Sequence, residues 1–227
     1  MSEPAAAYDL WASSYDSESD NVVLHLEQDV FSRLLKPLHL NGRTVMDFGC
    51  GTGRHWHEIL ERKPASLSGY DVSAKMLHRL KEKFPDAQTL LLNDGMLNET
   101  AAASIDVLTS TLVLAHVPSV EKVFQEWSRV VKTGGDILIT DFHPAALAHG
   151  ADRTFRHEGR LISVKSYPHA MESIRSAAKA LGWHEIEFTE VKIDQAVEPY
   201  YKDRQAETLY ERFRGVPLVY GLLLKKT

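Results

Sequence analysis

The chain has 227 residues, 44% of them hydrophobic, with 26 Lys and Arg against 31 Asp and Glu, for a formal net charge of -5. That length suits one α/β domain with a small cap and a core buried without staples. The acidic balance argues against a nucleic-acid backbone as substrate, because such binding rests on clustered positive charge.

The single cysteine, Cys50, excludes an intramolecular disulfide. No apolar run reaches the roughly 18 residues a spanning helix needs. No positively charged n-region opens the chain. The expectation is a cytoplasmic protein with no membrane span. No repeat or linker divides the sequence, so residues 1–227 read as a single domain.

The first predicted helix runs from Asn21 to Leu35, with Val22, Val23, Leu26, Val30 and Leu34 on its apolar face. Pro37 and Asn41-Gly42 mark the way into strand one. Val45 to Phe48 reads as a buried strand containing an acid, Asp47. It runs into Gly49, Gly51 and Gly53, and a helix-like segment follows from Trp56 to Arg62. This order is how a Rossmann-like sheet opens a nucleotide pocket at its first strand.

The spacing separates ligand classes. A dinucleotide fingerprint would need its third glycine where Arg54 stands, and no phosphate-binding lysine follows, so a P-loop is excluded too. Asp47-x-Gly49-x-Gly51-x-Gly53 resembles motif I of the class I methyltransferases that use S-adenosylmethionine. The resemblance implies that the acid lies beneath the glycine loop and that the loop touches the amino-acid part of the cofactor.

Leu67 to Asp71 reads as strand two, ending in an acid close to the roughly 20-residue interval expected of a ribose ligand. A carboxylate can accept two hydrogen bonds from a vicinal diol. The alternative for Asp71 is a cap on the next helix. That helix runs to about Lys83, with Met76, Leu77, Leu80 and Phe84 on one face. Val72 and Met76 join the cofactor-binding set.

Thr89 to Asn93 reads as strand three, followed by Asp94-Gly95. The resemblance implies that Asp94 meets the exocyclic amine of adenine, with Asn93 and Gly95 as neighbours. A simple Asn-Asp-Gly turn is the alternative. Strand four is Ile105 to Ser110, continuing through Thr111, also placed near the cofactor, to His116. A helix from Ser119 to Val131, the turn Lys132-Thr133-Gly134-Gly135 and strand five, Asp136 to Asp141, follow. Thr133 stands where the family usually has proline, which loosens the turn without removing chemistry.

The resemblance spans about residues 8 to 142. It is nearest to the small-molecule methyltransferases grouped with ubiquinone and menaquinone biosynthesis. It implies an α/β, Rossmann-like fold with a seven-stranded, mostly parallel sheet whose last strand is antiparallel. The segment Tyr8 to Asp16 is similar to one that closes over the cofactor in relatives. Tyr15 and Trp11 are candidates for that lid, and Trp11 reads equally as core.

The expected division is lid helices in 1–40, a cofactor-binding core in 41–142, a substrate cap in 143–170, and the rest of the sheet with a flap in 171–227. The cap is a hairpin within Thr154 to Tyr167 turning at Gly159. A helix from His169 to Leu181 ends at Gly182. Trp183 to Lys192 and Val216 to Lys225 read as strands six and seven. The aromatic stretch Val197 to Arg214 reads as a flap above the pocket.

Three histidines follow strand ends or the cap: His116, His143 and His169. Each can take a proton from a hydroxyl or amine near neutral pH, or simply hydrogen-bond. His143 and His169 are the preferred bases. Cys50 suits a crowded turn and has no evident base nearby. No metal is expected, since His55-x-His57 is too tight for helical zinc spacing and no cysteine pair exists. Asp141 leaves only a weak magnesium option.

The function expected is transfer of a methyl group from S-adenosylmethionine to O, N or C of a small metabolite, leaving S-adenosylhomocysteine, by a monomer or homodimer. The alternatives are other chemistry in the same cofactor pocket, or a non-catalytic cofactor-binding subunit.

Overall fold

The computed structural model describes residues 1–17, 21–93, 96–203 and 205–227. One seven-stranded sheet organises it: β1 (Thr44–Phe48), β2 (Ser66–Asp71), β3 (Gln88–Leu91), β4 (Ile105–Thr111), β5 (Val131–Phe142), β8 (Trp183–Lys192) and β9 (Pro217–Lys226). Its order is β3-β2-β1-β4-β5-β9-β8. β1 to β5 run parallel, and β9 lies antiparallel between β5 and β8. The predicted seven-stranded, mostly parallel sheet and its antiparallel last strand are therefore as observed. The order reverses between β1 and β4, the switch point where an open α/β sheet leaves a crevice at its carboxyl edge.

Helices cover both faces, so the central strands read as nearly continuous apolar runs. On one face α2 (Val22–Leu35), α3 (Trp56–Glu61) and α4 (Ala74–Lys83) pack around Phe31, Leu34, Val45 and Leu80. On the other, α5 (Val120–Val130) and α7 (Met171–Ala180) pack around Met46, Leu108, Phe124 and Trp127. Helix starts follow capping chemistry. Asn21, Ser73 and Ser119 each accept from a backbone N–H in the first turn of α2, α4 and α5. α7 begins at Met171 rather than His169, and Ala170 is extended at its start. His169 is held outside the helix by its own bonds, its N–H to the Tyr167 carbonyl and its ring to the Val117 carbonyl.

A third, smaller core joins α1 (Pro4–Trp11) to the hairpin of β6 (Thr154–His157) and β7 (Arg160–Ser163), through Ala7, Trp11, Met76, Phe155 and Val164. Glu158 and Gly159 both have positive φ, 47° and 75°. Two left-handed residues match the twist of a two-residue hairpin turn. Ser2 adds to this hairpin: its N–H donates to the Ser163 carbonyl, and its carbonyl accepts from Lys165 N–H.

The expected flap is elsewhere. α8 (Glu198–Lys202) and α9 (Glu207–Phe213) bury Tyr201, Tyr210 and Phe213 in the core beside α2. None of the described residues of this stretch lines the cavity at the carboxyl edge. Three aromatic rings gain more by filling an apolar surface than by overhanging solvent. A short helix, α6 (Pro144–Ala148), leads from β5 toward the hairpin.

Candidate active site

The glycine loop leaves β1 with φ of 73°, 52° and 72° at Gly49, Gly51 and Gly53. At Gly49 a Cβ would stand 2.1 Å from Val113 Cγ2, so the loop and the end of β4 touch only because no side chain intervenes. At Gly51 a Cβ would meet nothing within 4 Å. It would project into the open space of the cavity, so a ligand can approach the backbone there.

Asp47 lies beneath this loop, nearly fully buried. It accepts from Trp56 Nε1 (2.9 Å) and Thr109 Oγ1 (2.9 Å). Burial pushes its carboxyl above the usual range, and these two donors pull it back. Its work is to tie α3 and β4 under the loop, since it does not line the cavity.

Asp71 does line the cavity. It accepts from Gly51 N–H (2.8 Å) and Ser73 N–H (2.8 Å), so it braces the loop and also initiates the turn into α4. Burial pushes its carboxyl up to about 6. Each oxygen keeps a further lone pair for a hydroxyl donor.

The cavity has a volume of ≈ 670 Å³, within the roughly 300–1,000 Å³ range of small-molecule sites. Of the residues singled out in the sequence, Tyr15, Gly49, Gly51, Asp71 and Val72 line it, as do Met76, Asn93, Thr111 and His116. Gly53 does not; a Cβ there would crowd Leu80 and Trp56 at 3.1–3.2 Å. Asp94 and Gly95 fall outside the described residues.

Leu112 also lines the cavity, with φ of 57° and its N–H bonded to the Thr140 carbonyl. A non-glycine residue in this left-handed region stores roughly 1–3 kcal/mol and persists only where its surroundings hold it. It turns the chain so that Val113 meets Gly49. No sequence signal announces that bend.

The lid is α1 with the turn after it. Tyr8 and Tyr15 line the cavity, whereas Trp11 does not. Trp11 is fully buried, stacked on Phe155 with centroids 4.5 Å apart and with the Arg153 guanidinium over its ring at 4.7 Å. It is the core of the lid.

Two carboxylates fasten this segment down. Asp9 accepts from Ser73 Oγ (2.6 Å) and Lys75 N–H (3.0 Å). Asp16 accepts from Thr52 Oγ1 in the glycine loop (2.6 Å) and pairs with Lys83 (2.8 Å). The sequence places Tyr8, Asp9 and Asp16 in the lid segment but gives them no roles, and it does not single out Thr52, because their partners lie far along the chain.

Below the loop, Glu27 of α2 is fully buried. It binds Arg54, His55 Nε2 (3.1 Å) and Thr140 Oγ1. One carboxylate thus locks α2, the end of the loop and β5 together.

The two preferred bases stand away from the cavity. His143 Nδ1 accepts from Ala145 N–H (3.1 Å), capping α6, and its Nε2 lies 3.6 Å from Glu190. His169 Nε2 donates to the Val117 carbonyl (2.8 Å). Neither lines the cavity. Each was placed by its position after a strand or hairpin, but capping and loop bonding turn the side chains elsewhere. Asp141 is occupied as well: it accepts from Ala115 N–H (3.0 Å) and Phe142 N–H (2.6 Å), and burial raises it to about 6. It holds the turn Leu114–His116 in place.

Among the described residues no group of three or more His, Cys, Asp or Glu is arranged to hold a metal ion. No described helix is long and apolar enough to cross a membrane. Burial pushes the Cys50 thiol well above its usual value, which keeps it unreactive.

Residues 46–139 match the family described as "Methyltransferase domain". A ubiquinone biosynthesis O-methyltransferase of Paracidovorax citrulli is 35% identical over 114 residues, covering 48% of this chain and 48% of that protein. An uncharacterized methyltransferase of Emericella nidulans is 27% identical over 221 residues, covering 80% and 76%. The chain thus spans about half the length of the first and three quarters of the second. Among solved structures, an S-adenosylmethionine-dependent methyltransferase from Mesorhizobium loti superposes with a TM-score of 0.65 at 20% identity, covering 86% of this chain and 96% of that one. The switch-point cavity, the three-glycine loop and these likenesses agree: residues 46–139 are similar to methyltransferase domains, on a fold shared with the S-adenosylmethionine-dependent methyltransferase from Mesorhizobium loti.

Proposed function

We propose that this protein transfers the methyl group of S-adenosylmethionine to an oxygen, nitrogen or carbon of a small metabolite by in-line displacement. One observation carries the reading. A single cavity has the glycine loop and Asp71 in its wall at the sheet edge, and Tyr8 and His116 in its wall beneath the lid. The first group suits the cofactor, with Asp71 accepting from ribose hydroxyls and the backbone at Gly49 and Gly51 meeting the amino-acid part. Val72, Met76, Asn93 and Thr111 complete that wall, with Tyr15 above it. The second group suits a methyl acceptor.

When bound, the cofactor supplies an electrophilic methyl carbon on a sulfonium. The chain's own work is alignment and exclusion of water. Near-attack positioning of this kind lowers a barrier by about 7–11 kcal/mol. The aromatic faces of Tyr8 and Tyr15 favour a cation nearby, by roughly 0.5–2 kcal/mol. In division of labour, α1 and the turn after it serve as the lid, while α2, expected in that lid, packs beneath the loop with the cofactor core of 41–142; 143–170 serves as the substrate cap, all within one domain.

Calorimetric titration with S-adenosylmethionine and S-adenosylhomocysteine tests this reading. Micromolar binding that is lost in Asp71→Ala supports it, and absence of binding to either ligand overturns it. A protein that binds both but methylates no acceptor alone would be a cofactor-binding subunit instead.

A further inference from the structure

Tyr8 and His116 are 108 residues apart in sequence, yet the Tyr8 hydroxyl lies 3.0 Å from His116 Nε2. His116 Nδ1 lies 2.8 Å from the Lys165 carbonyl oxygen. A carbonyl only accepts, so Nδ1 carries the proton and donates. In a neutral ring Nε2 then holds the lone pair, and the Tyr8 hydroxyl donates to it. The hydrogen of Tyr8 is thus committed to His116, while its oxygen accepts from the Arg153 guanidinium and keeps one further lone pair. Both side chains line the cavity. Burial pushes the Tyr8 phenol above its usual value, so it stays protonated, and the Arg153 guanidinium, which hydrogen-bonds it, pulls the other way. The other groups felt by the pair are Tyr15 and Asp141.

We propose that Tyr8 and His116 form a proton relay for a hydroxyl acceptor, Tyr8 taking the acceptor's proton as it passes its own to His116. This rests on the methyl-transfer reading above. As the acceptor oxygen bonds to the methyl carbon, the sulfur–methyl bond breaks and its electron pair stays on sulfur. The hydroxyl proton moves to Tyr8 Oη, and the Tyr8 proton moves to Nε2. The imidazolium formed keeps its Nδ1–H on the Lys165 carbonyl, and its charge replaces that of the sulfonium.

The geometry serves an acceptor that must lose a proton. An amine attacks as the free base and needs no proton partner, whereas a hydroxyl oxygen that gains a methyl group must release its hydrogen, and Tyr8 Oη and His116 Nε2 stand in sequence to take it. Burial pushes His116 down to about 4, which suffices for an oxygen made strongly acidic by its new methyl group. The relay therefore does its work on hydroxyl acceptors. Because Tyr8 belongs to α1, the relay exists only while the lid is docked.

The test has a spectroscopic arm and a kinetic arm. In the S-adenosylhomocysteine complex, nitrogen-15 spectra of histidine-labelled protein should show His116 protonated at Nδ1 and bare at Nε2 from pH 5.5 upward. Labelled methyl transfer is then followed with 3,4-dihydroxybenzoate as hydroxyl probe and benzylamine as amine probe. Tyr8→Phe should lower turnover on the hydroxyl probe by about 10²–10⁴-fold, with the cofactor Kd and the probe KM unchanged. His116→Gln keeps an acceptor for Tyr8 but no base, so it should not restore turnover. A proton on Nε2, full turnover in Tyr8→Phe, or methylation of benzylamine but not the hydroxyl probe would each overturn the relay. If neither probe is methylated, the nitrogen spectra decide. If S-adenosylhomocysteine does not bind, the methyl-transfer reading fails first.

Discussion

The two halves of the cavity are built differently. The cofactor half comes from strand ends and the turns right after them, and most of its partners are neighbours along the chain. Asp71 bonds Ser73, Ser73 caps α4, and Asp47 bonds Trp56. The half proposed for the acceptor is assembled from α1, the turn after β4 and the segment that follows the hairpin, joined by the Tyr8–His116 and His116–Lys165 contacts across long stretches of chain. Local construction gives a rigid half that ligand enters. Long-range construction gives a half that exists only when separate segments meet. The difference teaches where to expect stability effects and where to expect kinetic ones.

The sharpest way to break the rigid half lies beneath it. Glu27→Ala removes the carboxylate that binds Arg54, His55 and Thr140, leaving a partly buried guanidinium to neutral partners such as the Leu24 carbonyl and Gln28 Oε1. Such a loss should cost about 3–5 kcal/mol, read as a lower denaturation midpoint in urea. Asp71→Ala acts on the ligand instead. Two hydroxyl bonds to a charged acceptor, at roughly 1.5–3 kcal/mol each, should raise the cofactor Kd at least 10²-fold by calorimetry, with no change in the hairpin.

A third experiment uses pH. Asp71 sits at about 6 in the ligand-free protein, above an ordinary aspartate. The group therefore favours the folded state most below the unfolded value near 4, and that contribution is lost as pH rises through 6. Ligand binding runs the other way, because the ionised form accepts the hydroxyls. Affinity for S-adenosylhomocysteine should be flat above pH 7 and fall up to tenfold per unit below 6. Asp71→Asn should remove that slope; a slope that survives would assign it to Asp141. The smallest effect distinguishes the expected base from the observed cap. His143→Ala should lose the α6 cap, about 0.5–2 kcal/mol, while cofactor Kd and turnover stay as they are.

The cofactor half was legible because its logic is short-range. Strand one, three glycines and an acid at the end of strand two lie within Val45 to Asp71, and all serve one crevice. The resemblance carried the reading on to His116. The acceptor half was illegible for a physical reason. Whether a histidine after a strand turns to the cavity depends on what else offers it a bond. His143 found the start of α6 and His169 the Val117 carbonyl. Tyr8 lies in the segment that the resemblance marks as a lid, but its role follows from a partner on a different element. Likewise the aromatic stretch after β8 looked like a flap because its polarity suggested exposure, and the apolar surface beside α2 claimed its rings.

The amino-terminal segment is held at both ends: Ser2 is paired onto the hairpin, and Asp16 is clasped by Thr52 and Lys83. It is a strap rather than a flap on one hinge. A strap gives way only when one clasp lets go, so the residence time of whatever lies under it is set by the weaker clasp. The Thr52 clasp is part of the glycine loop itself. Release at that end takes a bond from the cofactor's own cradle, whereas release at Ser2 leaves the cradle formed, so the two ways of opening differ in what they cost the cofactor.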